Sequence, residues 1–303
     1  DTADTVAVAI AIDSTDLIHI AYWDSGVGLR YNTFDTSTDL FGTPTTAHAD
    51  TGTPTLSYTA ITIDSADKPH ICFEAGANNV EYVNKVSGSW TSTPVVVHSS
   101  GSSHKFDFTV NDDDITQLVV EGFFIVDIVW VFIANLNNAT SFTLYNITQT
   151  NVDAEAPSMV VDKKGDSYIS YIISGDVTTR KHLKDSVWSS WESIITPATG
   201  TFEDTSMVLD VYDNPIIFTN DSTNVTFAYK SLDGGATYSA IDTSHNSASF
   251  GDEHIRVRWS FLNFYFPSQF DYSMSNDVAF DIMYNKIYQT GANHLMTVGR
   301  NAS

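Results

Sequence analysis

Ile12-Asp13-Ser14-Thr15-Asp16-Leu17-Ile18-His19-Ile20-Ala21-Tyr22 is the stretch on which the reading of this chain turns. An apolar residue, an Asp, a few polar residues and an apolar strand follow one another, and the phrase returns downstream. Ile63-Asp64-Ser65-Ala66-Asp67 leads into His70-Ile71-Cys72-Phe73, and Val161-Asp162-Lys163-Lys164-Gly165 into Tyr168-Ile169-Ser170-Tyr171. Leu209-Asp210-Val211-Tyr212-Asp213 leads into Ile216-Ile217-Phe218. A degenerate copy, Val110-Asn111-Asp112-Asp113, precedes Gln117-Leu118-Val119-Val120, and the most eroded, Val257-Arg258-Trp259, precedes Phe264-Tyr265-Phe266. The marker falls at residues 13, 64, 111, 162, 210 and 258. A period of about fifty residues is the signature of a stacked supersecondary unit.

Each unit shares one grammar. The first strand alternates, as in Val6, Val8, Ile10 and Ile12, which is the period-two mark of a half-buried strand. The Asp-rich turn follows, then a second strand, then a Gly/Asn/Asp loop and a third strand such as Gly28–Asn32, Val80–Val83 or Val225–Tyr229. Trp90–Thr93 and Trp188–Trp191 read as outer fourth strands. Apolar residues nowhere recur at helical spacing over a dozen positions. The expectation is an all-β chain: one six-bladed β-propeller domain over 1–303, four antiparallel strands per blade, with blades near 4–50, 51–102, 103–152, 153–200, 201–248 and 249–303. A β-sandwich would not repeat its turn chemistry at this period.

Composition narrows the function classes. Lys plus Arg number 14 and Asp plus Glu 37, for a net charge of −23, which repels phosphate backbones and argues against nucleic-acid binding. The single cysteine, Cys72, cannot form an internal disulfide and reads as a small buried strand residue. The apolar run Ile115–Ala134 is interrupted by Glu121 and Asp127, so two buried strands explain it better than a membrane span. Five Asn-x-Ser/Thr sequons, at Asn138, Asn146, Asn220, Asn224 and Asn301, permit N-glycosylation.

The octapeptide Ser231-Leu232-Asp233-Gly234-Gly235-Ala236-Thr237-Tyr238 resembles the Asp-box hairpin of the BNR-repeat, sialidase-like propellers, and it falls at the turn between third and fourth strands of the fifth unit. The resemblance implies a structural turn: Ser231 and Asp233 bond within it, Gly235 permits unusual φ, and Tyr238 packs beneath. It does not extend to sialidase chemistry. That family uses an arginine triad whose first member lies in an Arg-Ile-Pro motif, whereas the arginines here are Arg30, Arg180, Arg256, Arg258 and Arg300, none in such a motif.

Candidate ligand residues come from the connectors between units, read as loops around the channel mouth. These hold His48, Asp50, His98, His104, Asp153, Glu155, Glu203, Asp204, His245, Asp252, Glu253 and His254. His104, Glu155 and Glu203 each stand seven residues before their marker, so a ring would aim them at one point, where they could hold a divalent cation such as calcium or share a proton. A solvated acidic rim is the simpler account. Trp23, Phe123, Phe124 and Tyr272, read as loop aromatics, could stack on sugar rings or anchor a protein. His19, His70, Gln117 and Tyr168 occupy one slot of successive second strands and point to a repeated hydrogen-bonding role. The paired aspartates of the inner turns lack calcium-loop spacing and read as Asx caps.

The expectation is a secreted or surface-displayed, non-catalytic propeller binding a glycan or protein partner on a cell or virion surface. Two other classes stay open. One is a glycan-cleaving enzyme, a glycoside hydrolase or polysaccharide lyase, using the channel-mouth His and Glu residues. The other is a structural subunit of a surface assembly.

Overall fold

The computed structural model describes residues 5–24, 26–49, 58–75, 79–85, 87–99, 105–111, 113–123, 127–135, 142–147, 154–210, 212–222, 226–241, 253–259, 269–276, 281–289 and 295–300. These contain no helix and form six antiparallel sheets. The chain divides into two compact units, Asp1–Asn151 and Val152–Ser303.

In the first unit, β1 (Thr5–Ile12), β2 (Leu17–Asp24) and β3 (Gly28–Asp35) form the first sheet, with β4 (Leu40–Phe41) and β5 (Thr45–Ala49) both paired to β3. The second sheet is β6 (Thr59–Ile63), β7 (Pro69–Ala75), β8 (Asn79–Asn84) and β9 (Val95–Ser99). The third is β10 (Phe106–Val110), β11 (Ile115–Phe123), β12 (Asp127–Asn135) and β13 (Thr143–Asn146). In the second unit, the fourth sheet is β14 (Ala154–Val161), β15 (Ser167–Ile173), β16 (Asp176–His182) and β17 (Ile195–Ala198). The fifth is β18 (Phe202–Leu209), β19 (Pro215–Asp221), β20 (Thr226–Lys230) and β21 (Ser239–Ile241). The sixth is β22 (Glu253–Trp259), β23 (Gln269–Asn276), β24 (Asp281–Gln289) and β25 (Leu295–Arg300).

The repeated Asp makes the inner turn of the first, second, fourth and fifth sheets. One carboxylate oxygen accepts two backbone N–H bonds: Asp13 Oδ1 from Thr15 (2.8 Å) and Leu17 (3.0 Å), and Asp64 Oδ1 from Ala66 (2.9 Å) and Lys68 (2.7 Å). Asp162 does the same with Lys164 and Asp166, and Asp210 with Tyr212 and Asn214. Asn111 keeps the bonds, to Asp113 and Ile115, because an amide oxygen accepts as a carboxylate does. The other oxygen reaches into the sheet, to His19 Nε2 and His70 Nε2 (3.1 Å each), to the Tyr168 hydroxyl (3.2 Å) and, in the fifth sheet, to Lys230 Nζ (2.7 Å). The second ring nitrogens of His19 and His70 meet the hydroxyls of Tyr31 and Tyr82. Burial lowers the His70 pKa against the pull of Asp64.

The residue closing each of the five described turns is left-handed: Asp16, Asp67, Asp114 and Asp213 have φ of 65°, 59°, 56° and 62°, and Gly165 takes the place in the fourth sheet with φ 88°. Asp tolerates that region better than most residues, and its carboxylate is then turned outward. Asp67 accepts from the Ser14 amide and hydroxyl (3.0 and 2.7 Å), and Asp114 from those of Ser65 (3.1 and 3.0 Å), so each turn latches to the turn of the sheet before it.

Apolar packing keeps the same register. Ile61, Ile71 and Phe73 of the second sheet pack against Ala9, Ala21, Trp23, Leu29 and Tyr31 of the first. Phe108, Leu118 and Val120 of the third pack against Ala60, Cys72, Val80 and Tyr82 of the second. Met207 and Ile217 of the fifth meet Tyr168, Ile172 and Val177 of the fourth. Glu74 departs from this pattern. It is 1% exposed, and neither carboxylate oxygen has a hydrogen-bond partner among the described residues. Burial pushes its pKa up to about 7.

Several expectations need correction. The outer strands are Val95–Ser99 and Ile195–Ala198, not the Trp-led segments. Trp90 instead lies edge-on to the Tyr31 ring of the first sheet at 5.0 Å, and the segment up to Trp191 is bent by turns such as Ser190 N to Val187 O. The second strand of the sixth sheet is Gln269–Asn276, and residues 264–266 lie outside the described residues. His48, His98, Glu155, Glu203, Asp204, Glu253 and His254 belong to strands rather than connectors. The apolar run from Ile115 is split between β11 and β12, and no helix among the described residues is long and apolar enough to cross a membrane.

Asp64→Ala is expected to lower the unfolding free energy by about 2–3 kcal/mol, since it strands two amides and a buried His. Asp67→Ala, whose bonds are exposed, should cost under about 1 kcal/mol in the same urea titration. For Glu74 the folded pKa lies above the unfolded one, so its stabilisation is full below about pH 4.5 and is lost as pH rises through 7. The stability of the native chain minus that of Glu74→Gln should therefore fall by about 2–4 kcal/mol between pH 4.5 and 8. A flat difference would show that Glu74 is ionised in the fold.

Candidate functional site

The fourth and fifth sheets enclose a cleft of about 440 Å³, within the usual size range of small-ligand sites. Strand β16 supplies Thr179, Arg180 and Lys181, and Tyr168 of β15 lines it beside them. The segment between β16 and β17 brings Trp191, Glu192 and Ser193, and the hairpin of the fifth sheet brings Gly235, Ala236 and Tyr238.

Main-chain bonds hold this segment along the edge of β16. Arg180 Nε donates to the Glu192 carbonyl (3.1 Å) and Nη2 to that of Trp191 (3.3 Å), while the Glu192 amide donates to the Lys181 carbonyl (2.9 Å). Trp191 spends its indole N–H on the Trp188 carbonyl (3.0 Å), which fixes the ring. Behind it, Trp188 stacks on the fully buried His182 at 3.9 Å with planes 3° apart, and burial lowers the His182 pKa. Lys181 Nζ sits 2.9 Å from Asp166 Oδ2 and 5.0 Å over the Tyr168 ring. Burial works against its ammonium, but the bonds to Asp166 and Tyr168 outweigh it and raise the pKa. Burial also pushes the Tyr168 hydroxyl up to about 12. Glu192 and Ser193 stand exposed at the rim.

The hairpin closes the other side. Ser231 Oγ donates to Asp233 Oδ1 (2.8 Å) and accepts from the Gly235 amide (2.8 Å); Asp233 also accepts from the Thr237 amide (2.8 Å) and hydroxyl (2.6 Å). The Thr237 bonds hold the Asp233 carboxyl down at about 2. A Cβ on Gly235, whose φ is 90°, would lie 2.9 Å from Tyr168 Cε1, so only glycine lets the tip rest on that ring. Tyr238 packs against the core shared by the two sheets, and its hydroxyl pKa is raised by burial. The cleft is thus lined by two cationic residues, an acidic residue and aromatic rings, a set that suits a polyhydroxylated ligand.

The residues expected at the channel mouth do not line this cleft among the described residues. Glu155 and Glu203 are exposed near the starts of β14 and β18, and His104 is outside the described residues. Among the described residues no group of three or more His, Cys, Asp or Glu is placed to hold a metal ion. Trp23 is core, 1% exposed and stacked on Phe73 at 6.1 Å, because it sits within β2 and not in a loop. Tyr272 lies within β23, Phe123 ends β11, and Phe124 is outside the described residues. Asn220 is 1% exposed in β19 and is closed to a glycan-transferring enzyme in the folded chain. Asn146 ends β13, and Asn138, Asn224 and Asn301 lie outside the described residues. Sequence reasoning met Arg180 only as a failed triad member and Trp191 only as strand. Their signal was the adjacent Arg180-Lys181 pair, rare in so acidic a chain, followed closely by two tryptophans.

No protein-family profile and no curated protein matches the chain. Solved structures do resemble it. An ulvan lyase, a polysaccharide lyase bound to -[GlcA(1-4)Rha3S]-, is 11% identical with a TM-score of 0.65 over 95% of this chain and 81% of its own. AofleA from Arthrobotrys oligospora is 8% identical with a TM-score of 0.63, covering 99% and 88%. The fucose-specific lectin from Aleuria aurantia is 12% identical with a TM-score of 0.58, covering 98% and 95%. At such identities the likeness is one of fold: repeated antiparallel sheets of propeller type.

Proposed function

We propose that the six sheets are the blades of a six-bladed propeller that binds a glycan, without cleaving it, in the cleft between the fourth and fifth blades. The observation that carries this reading is the cleft itself, where Arg180, Glu192, Trp191 and Tyr238 converge in a space of about 440 Å³. Sugars are recognised by such sets because hydroxyls take bonds from charged groups while the C–H face of the ring rests on an aromatic side chain. The fold-level likeness to lectins, among them a fucose-specific one, agrees with it. A non-catalytic role fits the titratable groups. Tyr168, held up at about 12 and bonded to Asp162, is a poor base near neutral pH, and His182 is buried behind Trp188. Display outside the cell or on a virion is part of the same reading, since glycan ligands are met there.

The test is a glycan array followed by calorimetry on the native chain and Trp191→Ala. A saccharide bound by the native chain should lose about tenfold or more in affinity, the worth of one aromatic face. Because Trp191 also packs near His182, thermal melting of the variant must show a folded protein. Undiminished binding by a folded Trp191→Ala would place the site elsewhere.

A further inference from the structure

We infer that the cleft selects an uncharged saccharide over uronic acids and sulfated sugars; this rests on the glycan reading above and concerns the same site. The argument is one of charge balance at fixed geometry. The two cations of the cleft are Arg180 and Lys181. Lys181 is already neutralised by Asp166 at 2.9 Å, Arg180 directs Nε and Nη2 to the main-chain carbonyls of Glu192 and Trp191, and Glu192, an exposed residue, lines the same cleft. The four groups sum to no net charge. The Tyr168 hydroxyl adds no donor for an anion, because it is given to Asp162.

An anionic sugar entering this cleft would leave water without gaining a surplus cation, and burying a charge on those terms is costly. It would also approach a chain of net charge −23, which slows the encounter of anions at low salt. A neutral sugar meets neither obstacle. Its hydroxyls donate to Glu192 and accept from Arg180 and Lys181, and its apolar face lies on Trp191 or Tyr238. The rim carboxylate is therefore the specificity-determining group: it accepts from a hydroxyl and repels a carboxylate or sulfate.

The experiment is isothermal calorimetry with the methyl glycosides of fucose, galactose, mannose and glucose against glucuronic acid, galacturonic acid and galactose sulfate. The native chain should bind at least one neutral glycoside about tenfold more tightly than any acidic sugar. That affinity should be nearly constant from roughly 0.05 to 0.5 M NaCl. Glu192→Lys, an exposed change that leaves the core intact, should narrow or reverse the gap by about tenfold. Equal or tighter binding of an acidic sugar by the native chain, weakened by salt, would overturn the inference while leaving the glycan reading standing. Binding of neither class, or binding unchanged in folded Trp191→Ala, would overturn the glycan reading and this inference with it.

Discussion

The bond set around one side-chain oxygen acceptor, Asp in four of the first five sheets and Asn111 in the third, is the constraint from which the rest of the structure follows. One oxygen of Asp13, Asp64, Asp162 or Asp210 closes a tight turn by taking two amides that would otherwise be left without acceptors. The other oxygen pins the second strand, or a lysine of the third, to that turn. A turn fixed at both ends sets the register between its strands, and in a sheet with two buried faces a slip of one residue would exchange those faces. That is why the apolar rows of the second, third and fifth sheets pack in one register against their neighbours. The latches Ser14–Asp67 and Ser65–Asp114 carry the same geometry from sheet to sheet.

The proposed site lies where the repeat is varied. In the first two sheets the second-strand slot is His, tied to a Tyr of the third strand. In the fourth sheet it is Tyr168, and Thr179, Arg180 and Lys181 stand on the third strand beside it. The exchange removes a buried His–Tyr pair and leaves an aromatic floor with cations along its edge. The glycine-tipped hairpin of the fifth sheet then closes over that floor. One scaffold therefore supports a filled interface between the first and second sheets, where Trp90 packs on Tyr31, and an open cleft between the fourth and fifth.

The strong negative charge is distributed in keeping with these roles. The marker aspartates are bound into turns, and hydrogen bonds hold the Asp13 and Asp210 carboxyls below their usual value despite burial. Glu74 is the exception, a buried carboxyl whose oxygens have no hydrogen-bond partner among the described residues, and burial raises its pKa.

Much of the fold was legible before any coordinates. The marker spacing gave the repeat; the Asp chemistry gave capped turns; the shared slot of His19, His70 and Tyr168 gave a structural hydrogen bond; and each was set by contacts within about twenty residues. The site was not legible, for the opposite reason. Trp191 reads as strand until turns at Leu183 and Val187 bend its segment back along β16, and Trp23 reads as an exposed aromatic until Phe73 of the next sheet covers it. Gly235 reads as a turn residue until Tyr168, from another repeat, lies against it. By itself the sequence determined the strands, their turns and their period, because those depend on local bonds and alternation. Which aromatic and charged side chains face a cleft was decided only by tertiary structure, because that depends on what a neighbouring sheet covers.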